Sequence, residues 1–274
     1  MYKVLALDLD GTLTNSQKEI PARNLRTLIR AQQERGIRIV LASGRPVQGI
    51  IPLARQLRLH EFGGFIMAFN GGQIIDCQTR KCIYRKDLHP DHYPLIFEKT
   101  CRTGVQMITY HNGHIYCEQA DNEYVQYAAF INKMPLKQIE SFRTFFGFPI
   151  PKLLVAGHPS LIEPLEHEMA FHLGGRVSVY RSEPFFLEIL PEGTNKAHAL
   201  DHLLRRIGAS TEETIACGDG FNDLCMIEFA GLGVAMGNAQ DVVKHAANLI
   251  VASNEACGVA QVVEEYVLGS PLLH

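Results

Sequence analysis

The chain lacks several features that would point to particular classes of partner. Its 274 residues carry a formal net charge of only -3. Lys and Arg are scattered rather than clustered, which argues against nucleic acid or another polyanion as a partner. No apolar run approaches the roughly 18 residues of a membrane span, so no membrane partner is expected. With 46% hydrophobic residues, the chain is long enough for one large domain or two modest ones.

Cysteine and histidine also lack the spacings of common metal and redox sites. The seven Cys are an odd number without a Cys-x-x-Cys pair, and the twelve His show no His-Glu-x-x-His spacing. The first residues have the pattern of a core strand rather than of a signal peptide. These absences predict no zinc site and favour the reduced cytoplasm as the compartment.

The sequence does contain an apolar run that ends in two carboxylates. Residues 4–7 are Val-Leu-Ala-Leu, and Asp8 and Asp10 follow one residue apart. Such a strand is expected to be buried, and two anions at its end repel each other unless a cation lies between them. Mg2+ suits carboxylate oxygens and leaves positions for water and a substrate phosphate. Taken alone, the pair also fits an Asp-Gly-Thr turn without any metal.

Helical and strand patterns alternate after this first strand. They occur at 21–36 (helix), 37–42 (strand), 47–59 (helix) and 65–69 (strand). This order predicts a parallel sheet with crossover helices. Ligands of such sheets bind beyond the carboxyl ends of the strands, so we expect Asp8, Ser43 and Asn70 to lie at one edge.

The middle of the chain has a different pattern. Asn112-Gly113 lies between two alternating apolar runs, which is a strong hairpin signal. Further helical and strand patterns predict an inserted α+β domain at 85–185. The alternation of strand and helix resumes afterwards, so residues 1–84 and 186–274 are predicted to form one α/β domain around a Rossmann-like parallel sheet.

Four motifs in chain order make the sequence similar to the haloacid dehalogenase (HAD) phosphatase superfamily. They are Asp8-Leu9-Asp10-Gly11-Thr12, Ser43 after its strand, Lys196 in the first turn of a helix, and the segment from Gly218-Asp219 to Asn222-Asp223. The segments Ser43-Gly44-Arg45 and Asn70-Gly71-Gly72 and the long insert further resemble the Cof-type branch with a C2B cap (HAD-IIB). The resemblance covers nearly the whole chain and implies a HAD core with an inserted α+β cap.

The resemblance implies a Mg2+-dependent phosphatase that works through an aspartyl-phosphate. Asp8 would be the nucleophile, and Asp10 would be the general acid and then the general base. The metal would be held by Asp8, by Asp10 through its backbone carbonyl, and by Asp219. Asp223 would either join them or orient a metal-bound water or Lys196 from just outside.

The remaining candidates would bind the substrate phosphate. They are Ser43, the backbone N–H of Gly44, Lys196 and Asn222, which offer hydrogen-bond donors or positive charge to the phosphate oxygens. Arg45 has two interpretations: it reaches the phosphate with both ends of its guanidinium, or it pairs with a core carboxylate. The sequence leaves both open.

The predicted substrate is a small phosphorylated metabolite, with sugar phosphates favoured by the resemblance. A cap that closes over the site would exclude bulk water and select the leaving group, which argues against protein substrates. Two alternatives remain open from the sequence, a phosphomutase of the same superfamily and a non-catalytic sugar-phosphate-binding protein. Whether the protein is a monomer or a homodimer is undetermined.

Overall fold

The structure is a computed structural model that describes residues 1–101, 104–145 and 147–269. The chain forms two compact units, one from Met1–Tyr84 and Asn195–His274 and the other from Arg85–Thr194. The last five residues of the first unit, 270–274, lie outside the described ranges. Within those ranges, no helix has both the length and the apolar character that a bilayer crossing requires.

Strands and helices follow one another along both units. The strands are β1 (Val4–Leu7), β2 (Arg38–Ala42), β3 (Phe65–Ala68), β4 (Gln73–Asp76), β5 (Cys82–Arg85), β6 (Val105–His111), β7 (His114–Cys117), β8 (Leu136–Gln138), β9 (Leu153–Gly157), β10 (Val177–Glu183), β11 (Phe186–Pro191), β12 (Thr214–Gly218), β13 (Leu232–Ala235) and β14 (Leu249–Ile250). The helices are α1 (Ala22–Arg35), α2 (Val47–Gln56), α3 (Leu59–Phe62), α4 (Tyr93–Thr100), α5 (Glu123–Asn132), α6 (Phe142–Phe145), α7 (Pro159–Leu173), α8 (Lys196–Ile207), α9 (Leu224–Phe229), α10 (Asp241–Ala246) and α11 (Gly258–Val262).

The first unit is built around one sheet with the strand order β14-β13-β12-β1-β2-β3-β4-β5. The strands from β14 to β3 pair in parallel, and β4 pairs antiparallel to β3. In the middle of this sheet Leu7 lies between Leu41 of β2 and Cys217 of β12. The predicted Rossmann-like parallel sheet is confirmed, and the polar residues after β1, β2 and β12 follow neighbouring strand ends.

Helix α8 packs against this sheet through one apolar face. Ala199, Leu200 and Leu203 are buried in one cluster with Ala6 and Val40 of the strands. Their spacing places them on the same side of the helix. The packing of that face fixes the direction of α8. The first residue of α8 is Lys196, one of the candidate phosphate-binding residues.

The second unit contains a sheet with the strand order β10-β11-β9-β6-β7-β8. Its pairs are antiparallel apart from β7 with β8, and α4 and α7 contribute buried side chains to the core on one face. The predicted hairpin is the turn between β6 and β7, where Asn112 and Gly113 both have positive φ angles, 45° and 78°. This combination is the predicted inserted α+β fold.

The second boundary of the insert differs from the sequence prediction. Residues 186–194 were predicted to belong with the last segment, whereas the division between the units falls at Thr194 and Asn195. The physical reason is β11, which pairs with β9 on one side and with β10 on the other. Because the second unit ends at Thr194 rather than at residue 185, both strands of the β10–β11 hairpin belong to the sheet of that unit.

Candidate active site

The first carboxylate of the sequence motif is buried at the end of β1. Asp8 is only 5% exposed. Its backbone N–H donates to the carbonyl of Cys217 at 3.0 Å, which extends the pairing with β12 by one residue. Its Oδ1 accepts a hydrogen bond from Lys196 Nζ at 2.6 Å. A buried carboxylate is costly unless it is paired, and this ammonium is its partner.

Lys196, the first residue of α8, is fully buried. The helix begins there because the side chain of Asn195 caps it, accepting the backbone N–H of His198 at 2.8 Å. Besides Asp8, Nζ donates to Asp223 Oδ1 at 2.5 Å. Burial alone would lower the pKa of Lys196, but the charges of Asp223 and Asp8 outweigh it and raise that pKa. The charged ammonium therefore links the ends of β1 and β12.

Asp223 holds the turn that follows β12. Its carboxylate is 1% exposed, and Oδ2 accepts the backbone N–H groups of Asp219 at 3.0 Å and Gly220 at 2.9 Å. The other oxygen accepts from Lys196. Both oxygens of Asp223 are thus engaged by protein donors, one by the Lys196 ammonium and the other by the backbone of the turn after β12.

The third carboxylate, Asp219, packs against the loop after β1. Its Oδ1 accepts the hydroxyl of Thr12 at 2.7 Å. Gly11, next to Thr12, has a φ of +87°, and a Cβ at this position would overlap the Asp219 carboxylate. Two local contacts explain the Asp-Gly-Thr sequence. Glycine permits the positive φ angle and the close approach of Asp219, and the threonine hydroxyl fixes the Asp219 carboxylate.

Asp8, Asp219 and Asp223 form a cluster that fits a divalent cation. One oxygen from each carboxylate lies within 4.8 Å of the others, and the single ammonium of Lys196 leaves an excess of negative charge. Burial raises the pKa of Asp8, and the charge of Asp223 adds to this effect. Burial also raises the pKa of Asp219 to about 6. A hard dication would relieve both effects, and carboxylate oxygens are the ligands that Mg2+ prefers.

The candidates after β2 and β3 meet the turn after β12. Asn70 donates its backbone N–H to the carbonyl of Ser43 at 2.9 Å, and its Oδ1 accepts from Asn222 Nδ2 at 3.0 Å. A Cβ added to Gly44 would lie 3.1 Å from the Asn70 amide nitrogen. The structure therefore brings Ser43, Gly44 and Asn222 together around Asn70.

The backbone before and at Asn70 is strained. Phe69 and Asn70 have φ angles of 53° and 52°, although neither is a glycine. Such conformations cost about 1–3 kcal/mol each and persist where surrounding contacts impose them. Here the Phe69 N–H donates to the Arg45 carbonyl at 3.1 Å and the Asn70 N–H to the Ser43 carbonyl. These two bonds hold the backbone of Phe69 and Asn70 in this conformation, in which the Asn70 side chain bonds Asn222.

A family model described as haloacid dehalogenase-like hydrolase matches residues 5–263. The chain belongs to this family. A crystal structure of a haloacid dehalogenase-like hydrolase from Bacteroides thetaiotaomicron is 48% identical, has a TM-score of 0.92, and is covered over 99% of its length by 97% of this chain.

Two further proteins to which the chain is similar carry more specific names. The 5-amino-6-(5-phospho-D-ribitylamino)uracil phosphatase YcsE of Bacillus subtilis is 30% identical, over 97% of this chain and 96% of that protein. A structure described as a HAD subclass IIB sugar phosphatase is 24% identical with a TM-score of 0.81, over 96% of this chain and 98% of the other. The second likeness is one of fold alone.

In this haloacid dehalogenase-like hydrolase the second motif carboxylate, Asp10, is held by two cations. Arg45 donates from Nε to Oδ2 at 2.7 Å and from a terminal nitrogen to Oδ1 at 2.6 Å. Lys18 Nζ lies 2.7 Å from Oδ1. Burial acts to raise the pKa of Asp10, but the hydrogen bonds and charges of Arg45 and Lys18 together lower it. Two interpretations of Arg45 were open, and in the structure Arg45 pairs with a carboxylate, that of Asp10.

Sequence reasoning missed two contacts of this site. Thr12 was read only as part of a motif, although its hydroxyl bonds Asp219. Lys18 was not a candidate, because a lysine in a polar turn has no pattern that distinguishes it from a solvated one. Only the folded chain places it beside Asp10.

Proposed function

We propose that the protein is a Mg2+-dependent phosphatase that hydrolyses small phosphorylated metabolites, with sugar phosphates favoured, through an aspartyl-phosphate. One observation carries the proposal: Lys196 Nζ bridges Asp8 and Asp223 at 2.6 and 2.5 Å, with Asp219 in the same carboxylate cluster. A buried nucleophile, a fixed cation and a set of hard ligands at one sheet edge are what phosphoryl transfer requires.

In the first step a carboxylate oxygen of Asp8 attacks phosphorus. The bond from phosphorus to the leaving oxygen breaks, and Asp10 in its protonated form gives its proton to that oxygen, so the alcohol leaves neutral. The products are the free alcohol, the aspartyl-phosphate and the Asp10 carboxylate. Lys196 stays beside the Asp8 carboxyl group throughout and offsets negative charge there.

In the second step Asp10 acts as a base. Its carboxylate takes a proton from water, the water oxygen bonds to phosphorus, and the bond from phosphorus to Asp8 breaks. Phosphate leaves, and Asp8 returns to its carboxylate. The contacts of Asp10 with Arg45 and Lys18 favour the ionised form that starts this step.

Three groups of this chain would hold the metal: the Asp8 and Asp219 side chains and the backbone carbonyl of Asp10. When bound, Mg2+ supplies positive charge to the phosphate oxygens. We assign Asp223 to the orientation of Lys196 rather than to direct ligation, because its carboxylate accepts three protein hydrogen bonds, one from Lys196 and two from the backbone N–H groups of Asp219 and Gly220. Asp219 is in turn oriented by the Thr12 hydroxyl.

Ser43, the Gly44 N–H and Asn222 are proposed to bind the phosphate oxygens. Ser43 is 3% exposed, and its Oγ accepts the Arg45 N–H at 3.1 Å, so the hydroxyl proton remains for a ligand. Asn222 is oriented by its bond to Asn70. Together with Lys196 these donors match the several oxygens of a phosphate group.

Substrate choice is assigned to the second unit, Arg85–Thr194, because the carboxylate cluster by itself distinguishes little beyond the phosphate. The names of the Bacillus subtilis relative and of the subclass IIB neighbour both refer to small phosphorylated compounds. They support the same substrate class here.

The test is a panel of phosphorylated metabolites assayed for phosphate release with Mg2+ and with EDTA, reporting kcat/KM for each. We expect Mg2+-dependent release from several sugar phosphates without a bisphosphate activator, and no turnover by Asp8→Asn. Release of phosphate by Asp8→Asn at the wild-type rate would refute the nucleophile. Isomerised sugar phosphate in place of free phosphate would indicate a phosphomutase, and binding without turnover would indicate a sensor.

A further inference from the structure

Lys18 is a cation at the proposed acid and base that no motif of the sequence accounts for. Its Nζ lies 2.7 Å from Asp10 Oδ1, the oxygen that also accepts Arg45. The Lys18 side chain is 30% exposed and that of Arg45 only 8%. Asp10 therefore has one buried cationic partner and a second one that comes from the surface loop after β1.

That loop has a defined shape. Lys18 has a φ of 62°, a conformation that costs a residue other than glycine about 1 kcal/mol or more. Asn15 holds it: its Oδ1 accepts the N–H groups of Gln17 at 3.1 Å and Glu19 at 2.9 Å, and its carbonyl accepts the Lys18 N–H at 2.9 Å. The turn is thus built around Asn15 and gives Lys18 a fixed starting point.

The loop is also tied to the last third of the chain. Ser16 donates its N–H to Glu255 Oε1 at 2.7 Å, and Asn254 Nδ2 donates to the Thr14 carbonyl at 2.9 Å. Asn238 Nδ2 bonds the Gly11 carbonyl at 2.8 Å. These bonds lie within the first unit, so Lys18 is positioned by the same unit that carries Asp8 and Asp10.

Among the described residues, the Asp10 carboxylate has three contacts with cationic side-chain donors. A carboxylate offers about four acceptor sites, two on each oxygen. Two of these donors, from Arg45 and Lys18, lie against Oδ1, and the third, Arg45 Nε, lies against Oδ2, so by count one site is left. The remaining site is on Oδ2, where a proton can be accepted or carried.

We propose that Lys18 is a positioning residue for Asp10, fixing the Oδ1 edge of the carboxylate so that Oδ2 faces the proton it transfers. The inference rests on the proposed phosphatase function. Arg45 alone holds the carboxylate by two hydrogen bonds, one to each oxygen, and the carboxylate can still shift between them. Lys18 adds a third contact point, on Oδ1. Removing the third point should slow proton transfer without weakening phosphate binding.

The experiment compares wild type, Lys18→Met, Lys18→Arg and the matched control Lys3→Met with 4-nitrophenyl phosphate as the probe. Lys3 also pairs with a carboxylate, Glu213, but it precedes β1, at the opposite end of that strand from Asp8. 4-Nitrophenolate leaves without a proton, so phosphoenzyme formation does not need Asp10, while its hydrolysis does. Rapid quench measures the two steps separately.

For Lys18→Met we expect a pre-steady-state burst at the wild-type rate, an unchanged KM or a lower one, and a kcat lower by about tenfold, a part of the roughly 10²–10⁴-fold that general acid–base catalysis provides. Lys18→Arg should recover most of the kcat, and Lys3→Met should match wild type. Circular dichroism checks that each variant is folded, so that a lower kcat cannot be the result of unfolding. Lys18→Gln serves as a second variant.

An unchanged kcat in Lys18→Met and Lys18→Gln, with Asp8→Asn inactive, would overturn the role of Lys18 and leave the phosphatase intact. A rise in KM at constant kcat would also overturn it, because Lys18 would then bind substrate. Wild-type protein that releases no phosphate from 4-nitrophenyl phosphate or from any metabolite of the panel would instead refute the proposed function itself.

Discussion

Asp219 gives the metal-free protein a pH dependence of stability opposite to that of an ordinary ion-paired carboxylate. Burial raises its pKa from the ordinary 3.8 to about 6, even though the Thr12 hydroxyl acts to lower it. The folded state therefore binds the Asp219 proton more tightly than the unfolded chain does. The stability from this group is fully present below pH 3.8 and is lost as the pH rises through about 6.

The size of the effect follows from the two pKa values. A difference of about 2 units corresponds to about 3 kcal/mol over the whole pH range, and about 1 kcal/mol of it falls between pH 7 and pH 5. Asp8, whose pKa is raised as well, changes stability in the same direction, so a variant is needed to isolate Asp219. Asn is suitable because its oxygen can still accept the Thr12 hydroxyl.

Urea unfolding in EDTA at pH 7 and pH 5 measures the effect in wild type and Asp219→Asn. We expect the variant to be the more stable protein at pH 7, and its advantage to shrink by about 1 kcal/mol at pH 5. Added Mg2+ at pH 7 should stabilise wild type more than the variant. An advantage of the same size at both pH values would refute the reasoning.

Other contacts make separate predictions. Lys196→Met leaves two buried carboxylates without their cation and should lower the free energy of unfolding at pH 7 by about 3–5 kcal/mol in urea titrations; a loss below about 1 kcal/mol would contradict the bridge. Gly71→Ala, at φ +98° and with a Cβ 2.5 Å from a backbone oxygen, should cost about 2–4 kcal/mol by calorimetry. Gly113→Ala, at φ +78° in open space, should cost only about 1 kcal/mol, and equal losses would speak against the close approach. In the second unit Lys152→Met breaks a buried pair with Glu188 at 2.6 Å and should lower its Tm, with recovery when Glu188→Leu is added; no recovery would argue against an unpaired charge as the cause.

The positions of strand ends were predictable because each motif follows a short apolar run. Asp8 and Ser43 could be assigned to one sheet edge from pattern alone, since parallel strands point the same way. The N-terminus of α8 was equally readable, because Asn195 is a capping residue just before a helical pattern. These features depend on local sequence and on rules of chain direction.

The pairing of long side chains was not predictable. Arg45 had two reasonable partners, and only the folded chain selects Asp10, which lies 35 residues earlier. Lys18 is positioned by Asn15 within a turn, a contact with no periodic pattern. The end of the insert was misplaced because the sequence of β11 does not reveal whether it pairs with β9 or continues into the next domain.

The order of the central sheet has a consequence for biosynthesis. Val4 of β1 pairs with Thr214 of β12, so the strand that precedes Asp8 has only its β2 neighbour until the last third of the chain has been made. The Arg85–Thr194 unit is continuous in sequence and is complete on the ribosome before Lys196 emerges. The second unit of a nascent chain can therefore fold first, before Asp8 is able to pair with Lys196.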